Sequence, residues 1–169
     1  MGRRLGIIAG SGEFPLLLLK EAQRLGYSCA VAGIKGEAQP GLRKRVDAFK
    51  WVGIGTISEL VSFFKENGVK EAVFAGKVEH RAIFKKEGFD KASLLLLTQN
   101  KERSPAAVIK SVIDFLRKEG IEVKDPTPFI SSFFCPEGIL TQTKLSPEIE
   151  EDIGLGWKVA KDIACLDIG

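Results

Sequence analysis

The sequence predicts an α/β protein in which a parallel sheet is covered by helices on both faces. Short apolar segments alternate with amphipathic ones along the 169 residues, which is the usual order of β-α-β units. The first apolar segment runs directly into a glycine turn and a helix that starts with proline, as in the first unit of a Rossmann-like sheet. Because no Pro- or Ser-rich linker divides the chain, we expect a single Rossmann-like domain over residues 1–169.

Five strands are predicted from the apolar segments and the turn residues that bound them. In chain order they are Arg4 to Ala9, Ser28 to Gly33, Ala48 to Ile54, Glu71 to Ala75 and Ile121 to Lys124. The carboxyl ends of parallel strands share one edge of a sheet, so the loops that follow these strands are expected to meet there.

Two internal helices carry start and stop signals. The segment Thr56-Ile57-Ser58-Glu59 is a capping box, in which Thr56 and Glu59 are expected to satisfy each other's backbone donors, and Gly68 ends the helix. The second helix is capped by Ser104, starts at Pro105 and ends before Gly120. The leucine run 94–97 fits either a buried helix or a helix that faces a partner, and both interpretations stay open.

A last helix is predicted from Ser146-Pro147 onward. Acidic residues in its first turn complement the helix dipole, and apolar residues recur at helical spacing. Gly154 and Gly156 interrupt the pattern, and each glycine costs about 1 kcal/mol relative to alanine inside a helix. Close packing against another element would explain the pair.

The turn Gly10-Ser11-Gly12 is a candidate anion site. Paired glycines let backbone N–H groups approach a phosphate, and the following helix directs its positive end at the same place. A dinucleotide fingerprint would need a third glycine where Pro15 stands, and an acidic residue where the second strand ends near Lys35. NAD is therefore disfavoured, while a tight turn without a ligand stays open.

Two further loops are expected at the same edge. Gly76 and Lys77 follow the fourth strand, and Lys77 could reach a phosphate at the glycine turn, although a solvated lysine remains an alternative. Asp125 and Thr127 follow the fifth strand, where prolines stiffen the loop and could aim both side chains at the crevice. A plain turn in which Asp125 caps its own backbone is the competing interpretation.

Composition and missing motifs exclude several functions. A net charge of +3 does not imply nucleic-acid binding, and three widely spaced cysteines with one histidine do not form a zinc pattern. That histidine, His80, is interpreted as a surface residue. The sequence contains no P-loop, no nucleophile elbow and no carboxylate cluster that could hold magnesium alone, so no complete catalytic set is evident.

The motifs taken together resemble bacterial UDP-2,3-diacylglucosamine pyrophosphatases of the lipid A pathway, the magnesium-dependent two-domain type. The matching segments, in order along nearly the whole chain, are residues 7–12, Phe14-Pro15, residues 75–78, 125–127, 137–141 and 166–169. The resemblance implies hydrolysis of UDP-2,3-diacylglucosamine to 2,3-diacylglucosamine 1-phosphate and UMP. Gly10, Ser11, Gly12, Gly76, Lys77, Asp125 and Thr127 would bind the substrate.

The same resemblance implies that this chain is an N-terminal domain. A C-terminal domain would supply the catalytic aspartate and the ligands of Mg²⁺, so the fragment alone is expected to be inactive. The implied partners are the UDP-sugar lipid and the C-terminal domain, with a homodimer left open, and the implied location is the cytoplasm, with peripheral contact to the inner face of the membrane. A non-catalytic nucleotide- or sugar-phosphate-binding module and an NAD-dependent oxidoreductase domain are the alternatives.

Overall fold

The computed structural model describes residues 3–79, 88–99, 105–142 and 144–165. His80 and Ser104, whose roles the sequence predicted, lie outside the described residues. In the described part, a parallel sheet has the strand order β3-β2-β1-β4-β5. Its strands are β1 (Arg4–Ala9), β2 (Ser28–Ile34), β3 (Ala48–Val52), β4 (Glu71–Ala75) and β5 (Glu122–Val123).

Helices follow the strands as the predicted alternation requires. They are α1 (Phe14–Arg24), α2 (Ile57–Glu66), α3 (Lys91–Gln99), α4 (Pro105–Lys118) and α5 (Pro147–Cys165). Short 3-10 turns occur at Pro40–Arg45, Thr127–Phe129 and Ser131–Phe133. The predicted α/β, Rossmann-like class is confirmed.

Apolar side chains on both faces of the sheet form two cores, because a parallel sheet is buried on both sides. Neighbouring residues of a strand point to opposite faces, so Ile7 and Ile8 of β1 enter different cores. The core on the α1 side includes Leu5, Ile7, Leu18, Leu19, Val31 and Val73. The core on the side of α2 and α4 includes Ile8, Ala32, Leu60, Phe64, Ala72 and Leu116.

The strand order reverses between β1 and β4. From β1 the chain passes through α1 to β2 on one side, whereas β4 pairs with β1 on the other side. Ligands of open α/β sheets bind at such a switch point, outside the carboxyl ends of the strands. The glycine turn after β1 and the lysine loop after β4 therefore flank the expected place.

The capping box at the start of α2 was predicted wrongly. Thr56 does precede the helix, but its hydroxyl lies 3.1 Å from a Glu59 carboxylate oxygen and 3.1 Å from the Gly53 carbonyl oxygen that it can donate to. The Glu59 N–H donates to the Thr56 carbonyl oxygen, and the first two N–H groups of α2 are satisfied from another part of the chain. Ile57 N donates to Ser93 Oγ at 3.2 Å, and Ser58 N donates to Asp90 Oδ2 at 2.8 Å.

The chain divides into two compact units, residues 1–133 and residues 134–169. The single domain expected over residues 1–169 stays a prediction. The helix of this second unit, α5, has no buried residue within its described length. Within the described residues of this unit, a Cβ added at Gly154 or Gly156 would meet no atom within 4 Å. In the described part of the chain, no helix combines the length and the apolar character needed to cross a membrane.

Candidate functional site

The loops after β1 and β4 are joined by backbone hydrogen bonds at the switch point. Ser11 N donates to Lys77 O at 2.7 Å, and Lys77 N donates to Ser11 O at 3.1 Å, which forms a short antiparallel bridge. Gly10 N donates to Ala75 O at 2.8 Å, and the Ser11 hydroxyl donates to Lys77 O at 3.0 Å. Five of the seven predicted site residues, Gly10, Ser11, Gly12, Gly76 and Lys77, belong to these two loops.

Glycine is required at two positions for the loops to approach this closely. A Cβ at Gly10 would overlap the backbone carbonyl of Lys77. Gly76 has a φ of +86°, and a Cβ there would overlap the carbonyl oxygen of Ser11. The sequence analysis assigned these glycines to ligand binding, and the structure gives both of them a packing role at the bridge.

The bridge also determines which backbone N–H groups are left to donate hydrogen bonds to an anion. The N–H groups of Gly10 and Ser11 are already used, whereas those of Gly12 and Glu13 donate to no other described residue. Gly12 is exposed, has a φ of +91° and directly precedes the N-terminus of α1. The donors that remain are therefore the amides at the start of α1, where the helix dipole favours negative charge.

The charged side chains around the bridge differ in whether they have hydrogen-bond or ion-pair partners. Lys77 is exposed, and its ammonium forms no ion pair with a described residue. The Glu13 carboxylate accepts a hydrogen bond from Gln39 Nε2 at 2.8 Å, and Glu37 Oε1 accepts one from Glu79 N at 3.2 Å. Among the described residues, therefore, Lys77 has no ion-pair partner, whereas both carboxylates accept hydrogen bonds.

Asp125 and Thr127 lie in a turn after β5 and form no hydrogen bond with the two bridged loops in the described part of the chain. Asp125 Oδ1 accepts a hydrogen bond from Thr127 N at 2.9 Å, and the hydrogen bonds from Thr127 hold the pKa of Asp125 below its ordinary value. The chain then turns onto the α1 side, where the rings of Phe129 and Tyr27 have centroids 5.4 Å apart. Asp125 therefore caps its own turn.

A cavity of about 650 Å³ opens beside the bridge, on the side of α2, α3 and α4. Gly10, Gly76 and Lys77 contribute to its wall, and most of its remaining lining is apolar: Ile8, Ile34, Val52, Ile54, Leu60, Phe74, Leu96, Leu97, Val108 and Val112. Sequence reasoning missed this cavity. Its one sequence signal was the leucine run of α3, because Leu96 and Leu97 reach the cavity while Leu95 is 57% exposed.

Helix α3 is held over the cavity by a second group of residues that the sequence analysis missed. Asp90 caps α3 by accepting a hydrogen bond from Ser93 N at 2.7 Å, and its other oxygen accepts from Ser58 N of α2. Desolvation acts to raise the pKa of Asp90, but the hydrogen bonds from Ser93 and Ser58 outweigh it and hold that pKa below its ordinary value. An Asp three residues before a Ser, ahead of an apolar run, was the available signal.

The described residues do not fit a metal site. No group of three or more His, Cys, Asp or Glu side chains in the described ranges could hold a metal ion. Magnesium needs oxygen ligands in near-octahedral geometry, which usually means carboxylates together with substrate phosphates and water. The groups near the bridge that could contact an anion, among the described residues, are backbone amides and the Lys77 ammonium.

Comparisons with known proteins bear on the family of this chain. A family model described as "LpxI N-terminal domain" matches residues 4–133. The UDP-2,3-diacylglucosamine pyrophosphatase LpxI of Caulobacter vibrioides is 30% identical over 170 residues, which cover 99% of this chain and 60% of that protein. The chain thus spans about 60% of the length of this curated relative.

Solved structures show weaker likeness. A UDP-glucose-4-epimerase from Stenotrophomonas maltophila has a TM-score of 0.48 and 11% identity over 96% of this chain and 49% of its own. A phosphoribosylglycinamide synthetase from Anaerococcus prevotii has a TM-score of 0.36 and 23% identity over 48% of this chain and 20% of its own. Neither likeness carries weight for function. The family model alone covers most of the chain, and the chain belongs to the family of LpxI N-terminal domains.

Proposed function

We propose that this chain is the substrate-binding part of an enzyme that hydrolyses the pyrophosphate of UDP-2,3-diacylglucosamine to 2,3-diacylglucosamine 1-phosphate and UMP, in lipid A biosynthesis. The observation that carries the proposal is the Ser11–Lys77 bridge, which sets an exposed lysine beside the free amides at the start of α1. The name of the Caulobacter relative supports the choice of substrate.

In this proposal the anionic part of the substrate lies on the solvent side of the bridge. The amide of Gly12 and the N-terminus of α1 donate to phosphate oxygens, and Lys77 supplies a positive charge. Gly10 and Gly76 hold the two loops together, so they position these donors. Asp125 and Thr127 remain predicted to line the same crevice.

Pyrophosphate hydrolysis needs an activated water and neutralisation of charge on the phosphate oxygens. The described residues offer the second of these. We assign the catalytic aspartate and the ligands of Mg²⁺ to a C-terminal domain in the remaining length of the protein, as the family resemblance implies. An acylated substrate also favours peripheral contact of the complete enzyme with the inner face of the cytoplasmic membrane.

The binding role is tested by calorimetry with UMP and UDP on this chain and on the two-domain protein. We expect Lys77→Ala and Gly12→Leu to weaken binding, because one removes the cation and the other places a bulky side chain over the free amides. Lys70→Ala is the matched control, since it removes an equal charge just before β4, at the opposite edge of the sheet. Unchanged affinity in both test variants would contradict the proposal.

The enzymatic role is tested by UMP release from UDP-2,3-diacylglucosamine in the presence of magnesium. We expect release by the two-domain protein and none by this chain alone. Nucleotide binding without turnover by the two-domain protein would identify a non-catalytic module instead. Binding of NAD without any response to the UDP-sugar lipid would identify an oxidoreductase domain.

A further inference from the structure

Exposed cations from two elements lie together on the α1 side of the sheet. We call them the basic patch, and they are Lys20 and Arg24 of α1 and Arg43, Lys44 and Arg45 of the 3-10 turn between β2 and β3. Gln23 Nε2 donates to the Arg45 carbonyl oxygen at 2.7 Å, which joins the end of the turn to α1. Lys20, Gln23 and Arg24 share one face of that helix, because residues three and four apart are neighbours on a helix surface. The two groups of cations are therefore adjacent.

The turn that carries three of these cations is anchored to the protein on both sides. Leu42, which precedes Arg43, is 2% exposed and belongs to the core on the α1 side. At the other end of the basic run, the Arg45 carbonyl oxygen is held by Gln23. The backbone between these two contacts is therefore fixed, and the three basic side chains extend from it into solvent as a preformed group of charges.

Most of the charge in the basic patch is not neutralised by the described part of the chain. Arg24 pairs with Glu21 at 2.8 Å, whereas the other four cations of the patch form no ion pair with a described residue. Residues 20–51 contain seven Lys or Arg and three Asp or Glu residues, so this segment alone exceeds the net charge of +3 of the whole chain. Like charges held close together repel one another, and an anionic partner would relieve that repulsion.

Apolar side chains accompany the basic patch along α1. Phe14, Leu16 and Leu17 are only partly buried, and they line a shallow surface depression together with Lys20. Leu25, directly after the last turn of α1, is 46% exposed. The surface of an anionic bilayer matches both kinds of side chain, because cations meet its head groups while apolar groups enter the boundary of the acyl chains. A nucleic acid would engage the cations and leave the leucines without an apolar partner.

From these observations we propose that the basic patch docks the protein onto an anionic lipid bilayer, with Leu16, Leu17 and Leu25 at the level of the head groups. The inference rests on the proposed function for the reason to approach a bilayer, since an acylated substrate is held there. Its physical basis is separate, because unpaired cations beside exposed leucines match a bilayer surface whatever the substrate. The patch is also distinct from the anion site, since none of its cations belongs to the bridged loops.

The test is cosedimentation of this chain with vesicles of phosphatidylcholine alone and of an equal mixture of phosphatidylcholine and phosphatidylglycerol. Each basic residue near an anionic surface strengthens binding about fivefold, so replacing Arg43, Lys44 and Arg45 together by Gln should weaken binding to the mixed vesicles about 100-fold. The matched control replaces Lys110, Arg117 and Lys118 of α4 by Gln, which removes an equal charge from the other face of the sheet. Leu25→Ser should weaken binding without any change of charge.

Each outcome of the test has one consequence. Binding to the mixed vesicles that falls in the patch variant and at high salt, while the α4 control binds as before, supports the inference. Equal binding to both kinds of vesicle, equal losses in the two triple variants, or tighter binding to a DNA oligonucleotide than to the vesicles overturns it.

The two proposals fail separately. Loss of UMP binding in Lys77→Ala, with no vesicle binding by the unaltered chain, overturns this inference and leaves the proposed function standing. Vesicle binding that depends on the patch, with UMP affinity unchanged in Lys77→Ala and Gly12→Leu, overturns the proposed function alone. Circular dichroism shows whether the variants are folded, and Lys44→Glu, a single exposed change, gives the same readout if the triple variant is not.

Discussion

The carboxylate of Asp90 accepts a hydrogen bond from the backbone N–H of Ser58 at 2.8 Å, so the residue that caps α3 also caps α2. The first backbone N–H groups of a helix have no acceptor within that helix. The Asp90 carboxylate accepts one such hydrogen bond from α2 and one from α3. The contact joins residues that are far apart in sequence, and it holds α3 in place beside the apolar cavity.

We expect Asp90→Ala to lower the free energy of unfolding by about 2 kcal/mol, because loss of one N-cap typically costs about 1 kcal/mol and here two are lost together. Chemical denaturation of both proteins at pH 7 measures the difference. Asp114→Ala is the control: among the described residues Asp114 forms an exposed ion pair with Arg117, and such pairs contribute little. Equal destabilisation in the two variants would contradict the shared cap.

The same cap predicts a pH dependence. The pKa of Asp90 is depressed in the folded protein, so its contribution to stability is present above the pKa of the unfolded chain and is lost as the pH falls through the folded-state pKa. The stability difference between the protein and Asp90→Ala should therefore be constant from pH 7 to about 5 and shrink at more acidic pH. A difference that grows in acid would contradict this sign.

Gly10→Ala should destabilise the protein by about 1–3 kcal/mol, because its Cβ would be forced against the Lys77 carbonyl in a packed region. Thermal unfolding followed by circular dichroism measures the effect. Gly41→Ala is the matched control, since a Cβ at exposed Gly41 meets no atom within 4 Å. If both variants melt at the same temperature, the bridge is not a close contact in solution.

The three cysteines should differ in reactivity. Cys29 is fully buried in β2, and burial together with the nearby Asp47 carboxylate raises the pKa of its thiol to about 11, whereas Cys135 and Cys165 are exposed. Thiol titration at pH 8 should therefore label two cysteines rapidly and the third only after unfolding, because the thiolate is the reactive form. The Cys29→Ala variant should lose the slow phase. Rapid labelling of three thiols in the native protein would contradict the buried position.

Gly154→Ala and Gly156→Ala should raise the helix content of α5, since alanine is favoured over glycine by about 1 kcal/mol inside a helix and the added Cβ meets open space. Far-ultraviolet circular dichroism measures the change. Gly120→Ala should behave oppositely, because Gly120 ends α4 with a φ of +83° that alanine adopts only with strain. A loss of helix in the Gly154 variant would show that a neighbour packs closely at that position.

The strands were predicted well where local signals bound them on both sides. The limits of β1 and β4 agree with the prediction, because each is an apolar run that ends at a glycine, Gly10 or Gly76. The third strand was predicted to run to Ile54 but ends at Val52. The pattern of apolar residues within one segment does not show where its hydrogen bonds to the neighbouring strand end.

The errors at the site have a common physical cause. Thr56 and Glu59 have the spacing of a capping box, but the backbone N–H groups that the box would use donate to the carbonyl oxygens of Thr56 and Gly53 instead. Asp90 and Ser93, from a distant segment, accept from the neighbouring N–H groups of the first turn. The cavity is a space left between several elements, so no single segment encodes it. The bridge depends on the register of β1 with β4, which places Ala9 opposite Ala75. Contacts of this kind follow from the assembled fold.

The bridge at Ser11 and Lys77 has one more consequence, which concerns rigidity. Loops at the carboxyl edge of a sheet commonly have to become ordered around a ligand, and that ordering reduces affinity. Here two such loops are fastened to each other by their own backbones before any ligand arrives. The floor of the site is therefore already set, and the long, exposed side chain of Lys77 is the part that can adjust to ligands of different shape.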